Sequence, residues 1–71
     1  MTVGQRIRQM REEKGVKQSE LAKQIGVTKQ NLYKYETGII ENISLPIIER
    51  IAFVLNCSPA YLAGWSEVKE P

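Results

Sequence analysis

Residues 18–38, QSELAKQIGVTKQNLYKYETG, decide the fold. They hold two short helical patterns joined by a tight corner. In the first, Gln18 to Ile25, the three- and four-residue spacing of Leu21, Ala22 and Ile25 puts all three on one face. Gly26 follows where a helix most often stops, because a residue without Cβ turns left-handed at no steric cost. Val27 is apolar inside the corner, and Thr28 offers a hydroxyl to cap a second helix, Lys29 to Glu36, on which Leu32 and Tyr35 point one way. Helices separated by so short a corner cannot lie antiparallel and must cross steeply, with Ala22 small enough to let them approach. This arrangement is a helix-turn-helix.

Gln18, Leu21, Ala22, Gly26, Val27, Leu32, Tyr35 and Glu36 fall on the pattern Q-x-x-L-A-x-x-x-G-V-x-x-x-x-[IL]-x-x-[YW]-E. In this the chain resembles the DNA-binding domain of the phage repressor and Cro-like family, the XRE-type helix-turn-helix. The flanks agree: RIRQMREEKG at Arg6 to Gly15 is similar to the family's first helix, and LPIIERIAFVLNCSPAYLAGW at Leu45 to Trp65 to its last two.

Upstream of the motif, Thr2 or Val3 opens a first helix running to Lys14, with Val3, Ile7 and Met10 as its buried stripe and Gly15 as its end. Lys17 is an unusual cap for the next helix, where Ser, Thr or Asn is favoured. Beyond Gly38 lies a loop, after which Ser44 caps a fourth helix with Pro46 in its first turn. Leu45, Ile48, Ile51, Ala52 and Leu55 form its inward face, and Asn56 is a left-handed stop. Ser58 and Pro59 start a fifth helix closed by Gly64. The expectation is an all-α, compact five-helix domain over residues 1–65, with residues 66–71 (SEVKEP) as a frayed tail or the start of a linker.

The chain has 71 residues, 42% hydrophobic and 25% charged, which makes one globular domain near the lower size limit for folding alone. Its net charge of +2 is unevenly divided. Residues 1–38 carry eight lysines and arginines against four glutamates; residues 39–71 carry two against four. The positive half holds the helix-turn-helix, as phosphate binding requires, although charge alone fits a solvated basic face equally well. The sequence has no His, no Asp and one cysteine. It therefore offers no internal disulfide, no metal site and no acid–base pair, which speaks against an enzyme, a cofactor or a small-molecule substrate. No apolar run approaches the ~18 residues of a membrane span, so a cytoplasmic protein without membrane contact is expected.

In this motif the N-terminal residues of the second helix enter the major groove. Thr28, Lys29, Gln30, Asn31 and Lys34 are the candidate base-reading residues. Gln can pair bidentately with adenine, Lys can donate to guanine, and the Thr methyl can meet thymine; the resemblance implies base reading for Lys29, Gln30 and Lys34. Candidate phosphate contacts are Arg6, Arg8, Lys17, Gln18, Tyr33 and Asn42, with Gln18 at a helix start whose free N–H groups attract anions. Tyr33 could stack on sugar-phosphate, touch a thymine methyl, or merely sit exposed. The resemblance also implies a partly buried ion pair between Arg11 and Glu36. The loop departs from the family: Ile39, Ile40 and Glu41 stand where many relatives carry phosphate-gripping side chains, so Ile39, Ile40 and Ile43 are expected to plug the core edge.

Phe53 is a second departure, outside the inward stripe of the fourth helix. Phe53, Cys57, Pro59 and Trp65 could form a dimer or partner patch, or Trp65 could pack over the first helix. The resemblance implies a regulator of transcription, a repressor binding a near-palindromic site in double-stranded DNA as a homodimer, weak for this fragment. The alternative is a protein-interaction module of the same fold with little DNA affinity.

Overall fold

The computed structural model describes residues 1–71. It contains five helices and no strand: α1 (Val3–Glu13), α2 (Gln18–Ile25), α3 (Lys29–Thr37), α4 (Leu45–Leu55) and α5 (Pro59–Leu62). Their ends follow from the residues at them. Thr2 closes a capping box with Gln5, its Oγ1 accepting from Gln5 N at 3.1 Å while Gln5 Oε1 accepts from Thr2 N at 2.9 Å. Thr28, Ser44 and Ser58 each accept a backbone N–H of the first turn of α3, α4 and α5. Lys17, the odd residue among the caps, makes no side-chain cap bond. Gly26 ends α2 at φ 77° and Asn56 ends α4 at φ 52°, both in the left-handed region.

Ile7, Leu21, Ile25, Leu32, Ile51, Leu55 and Leu62 are fully buried, so each of the four longer helices and the short α5 contributes to one core. Truncating one of these leucines to alanine would remove about 2–5 kcal/mol. Cys57 lies within the same core. Burial raises its thiol pKa, which keeps it protonated and inert. α3 packs on α1 and α2; α2 also packs on α4, and α4 on α5. Hence α3 has core neighbours on one side only.

The tail differs from expectation. Ser58 N donates to Lys69 O at 2.8 Å. Lys69 Nζ reaches Glu13 at 3.3 Å and lies over the Tyr61 ring. Arg6 Nη1 donates to Ser66 O at 3.1 Å, and its Nη2 to Glu67 Oε1 at 2.8 Å. That bond holds the Glu67 carboxyl below its usual pKa. Residues 66–69 thus lie back along α1 and α5 instead of fraying. No helix is long and apolar enough to cross a membrane.

Candidate DNA interface

The motif is locked by a charge cluster. Glu36, 4% exposed, accepts from Arg11 Nε at 2.7 Å and from Arg11 Nη2 at 3.0 Å, a bidentate pair. Gln18 Nε2 donates to Glu36 Oε1 at 3.2 Å, and Arg11 Nη1 donates to Val16 O at 2.9 Å. The bond to Glu36 raises the Arg11 pKa further, so the guanidinium is charged at any working pH. One carboxylate therefore joins α1, the start of α2 and the end of α3, and fixes the direction of α3 relative to the body.

The side of α3 away from the core is open. Lys29, Gln30, Tyr33 and Lys34 are exposed, and together with Gln18 and Ile39 they line one shallow depression. No carboxylate lines it: two lysines, two glutamines, a tyrosine and one aliphatic residue do, of which Lys29, Gln30, Tyr33, Lys34 and Ile39 are exposed while the Gln18 amide is turned to Glu36. Such a surface offers donors and positive charge to an anionic, acceptor-rich partner. Thr28 is exposed at the cap with its oxygen engaged by Asn31 N, and Asn31 is half-buried; neither lines the depression.

Among the expected phosphate contacts, Lys17 is exposed beside Gln18, and Asn42 is exposed in the loop. Arg8 lies on the outer face of α1, 3.4 Å from Glu12, among Met1, Gln5, Gln9, Glu12 and Glu13. Arg6, expected at phosphate, is instead buried in the body. It is 8% exposed, its Nη1 also donates to Tyr61 O at 3.0 Å, and its guanidinium stacks 4.5 Å from the Tyr61 ring centroid. A guanidinium so enclosed holds the tail and cannot meet phosphate. The signal lay in the helical period: Arg6 stands three residues after Val3 and four before Met10, on the buried side.

Two further expectations change. Ile43 is half-buried against the core and Ile40 is half-buried in a surface pocket with Val3 and Tyr35, but Ile39 is 66% exposed and lines the depression. Phe53, Cys57 and Pro59 line one groove with Glu49, Ala52, Asn56 and Pro71, with Phe53 77% exposed. Cys57 contributes little to that surface, being 2% exposed. Trp65 does not line this groove; at 75% exposed it does not pack over α1 either.

Two helices locked at a corner, the second carrying an open basic face, define a helix-turn-helix domain of the phage repressor type. The chain belongs to that family: the Helix-turn-helix family model matches residues 7–62. Over 56 residues it is 43% identical to the HTH-type transcriptional regulator SinR of Bacillus subtilis (strain 168), a match covering 79% of this chain and 50% of the relative. The chain thus spans about half the length of that curated relative. The structure is similar to that of SinR, the master regulator for biofilm formation, in complex with DNA: TM-score 0.81 at 41% identity, covering 86% of this chain and 97% of the other. It is equally similar to the P22 c2 repressor in complex with a synthetic operator: TM-score 0.81 at 27% identity, covering 93% and 98%.

Proposed function

We propose that this chain is the sequence-specific double-stranded DNA-binding domain of a transcriptional regulator, a repressor that covers a near-palindromic site as a dimer. The observation that carries this is the carboxylate-free depression on α3, presented by a helix held rigid through Glu36. Relatives bearing the names of transcriptional regulators, and similar structures in complex with DNA, support it. Lys29, Gln30 and Lys34 read base edges, with Thr28 and Asn31 at the helix start beside them. Lys17, Gln18 and Asn42 meet the backbone, Tyr33 stands between backbone and base edges, and Arg8 joins the backbone contacts once Glu12 releases it. The role we assign to this chain is binding and not catalysis, as part of an intracellular regulator.

The test is a selection from random duplexes followed by two variants. Gln30→Ala should cost about 1–3 kcal/mol on the selected duplex and relax one base position. Lys17→Ala should weaken selected and random duplexes alike and lower the salt slope by about one phosphate's share, ~0.9. Equal losses on both duplexes for both variants would remove the division between base reading and backbone grip. A chain kept for protein contacts alone would show no salt-dependent retention on random duplex.

Dimerisation is assigned to the groove around Phe53 and Pro59; a dimer on a near-palindromic site has to present two α3 helices about one DNA turn, ~34 Å, apart. Sedimentation should show self-association that Phe53→Ser abolishes. A monomer at high protein concentration, unchanged by that substitution, would discard this interface.

A further inference from the structure

Ile39 is exposed for a definite structural reason. Gly15, Gly26, Asn56 and Gly64 are left-handed stops, and at each the next residue donates its N–H to the carbonyl five positions back: Val16 to Arg11, Val27 to Ala22, Cys57 to Ala52 and Trp65 to Ala60. Gly38 is also left-handed, yet the returning bond there is made one residue late, from Ile40 N to Lys34 O at 3.1 Å. Ile39 is the surplus residue of this wider loop. Val16 and Val27 pack against the core and Cys57 lies in it; Ile39 instead stands in solvent on the rim of the α3 depression.

Beside it, Tyr33 is 53% exposed, so two of the side chains lining that depression are apolar or aromatic. The remaining four are Gln18, Lys29, Gln30 and Lys34. An apolar wall facing amides and ammonium groups matches one surface closely. The major-groove edge of duplex DNA presents acceptors at purines and an exposed methyl group at each thymine, whereas the minor groove has no methyl. The positive charge and the lack of a carboxylate in the depression favour this polyanionic occupant over an apolar peptide.

We propose that Ile39, with the ring of Tyr33, reads the 5-methyl group of a thymine in the major groove where Lys29, Gln30 and Lys34 read polar base edges. This rests on the duplex-binding function proposed above and adds to it a specificity residue outside the helix. The wider loop after α3 is what brings this side chain to the groove. No bond is made or broken: a methyl group leaves water for contact with an aliphatic side chain.

The experiment replaces thymines one at a time with deoxyuridine in the selected duplex, which removes the methyl and leaves every hydrogen-bonding group in place. For the wild-type chain, one such substitution should weaken binding about fourfold, the worth of one buried methyl. Ile39→Ser should bind the thymine duplex more weakly and no longer distinguish thymine from uracil at that position. Ile39→Val, which keeps the branch, should retain most of the discrimination. All three chains should melt alike, since the side chain is in solvent.

Wild-type binding indifferent to every uracil substitution would overturn the proposal, and so would Ile39→Ser discriminating as the wild type does. In either case a selected duplex still sensitive to Gln30→Ala would leave the DNA-binding function standing. A chain that selects no duplex overturns both.

Discussion

Glu36→Ala is expected to lower stability by about 3–5 kcal/mol and to abolish duplex binding as a consequence. The carboxylate is the shared acceptor of Arg11 and Gln18, and its side chain is 2% exposed. Removing it leaves the Arg11 guanidinium, only 12% exposed, with Val16 O as its one remaining partner. A cation stranded in that way costs far more than an exposed pair is worth, typically about 0–1 kcal/mol. Domains of this size have roughly 0.05–0.15 kcal/mol per residue of stability, so the loss is a large share of the total. Thermal melting is the check, and the midpoint should fall by more than about 12 °C. A midpoint within about 3 °C of the wild type would show that the pair does not hold α3 to the body.

Gly4→Ala is expected to disrupt the same joint from the other side. Gly4 is a buried residue in the first turn of α1. A Cβ built on it would overlap the carbonyl oxygen of Tyr35 and come within 2.9 Å of that of Glu36. Both obstacles are backbone at the end of α3, so no side chain can swing aside; one helix must move relative to the other. Overpacking of this kind costs about 1–3 kcal/mol and more when backbone must yield. Gain of helix propensity, about 1 kcal/mol from Gly to Ala in a helix interior, offsets only part of it. The expected result is net destabilisation with duplex binding weakened beyond what the melt alone explains, because α3 is re-aimed. Unchanged melting with wild-type affinity would mean that α1 and α3 can separate freely.

Glu36 and Gly4 differ in how far the sequence alone reveals them. Glycine and asparagine stops, serine and threonine caps and apolar stripes depend on a few adjacent residues, and the family pattern runs through them. They give the five helices with α1 ending at Glu13 rather than Lys14. The Arg11–Glu36 pair is legible only through the resemblance, since its partners are 25 positions apart. Gly4 carries no such signal: an isolated glycine in a helix reads as a small loss of propensity until the neighbouring backbone is known. Arg6 looks basic and available, but its partners at Tyr61, Ser66 and Glu67 lie more than 50 residues away in the chain. The same clamp orders a tail whose composition suggests fraying. Ile39 turns on a single residue of loop register after Gly38, which hydrophobicity alone assigns to the core.

The exposed side of α3, with the start of α2, is the surface proposed to enter a DNA groove. Amide chemical-shift mapping during titration with a selected duplex at low ionic strength tests it directly. The shifts should concentrate at residues 17–18, 28–34 and 39, with the groove around Phe53 and Pro59 changing only if two copies meet on one site. Shifts confined to α4 and α5, or amides of α3 unmoved by excess duplex, would contradict it.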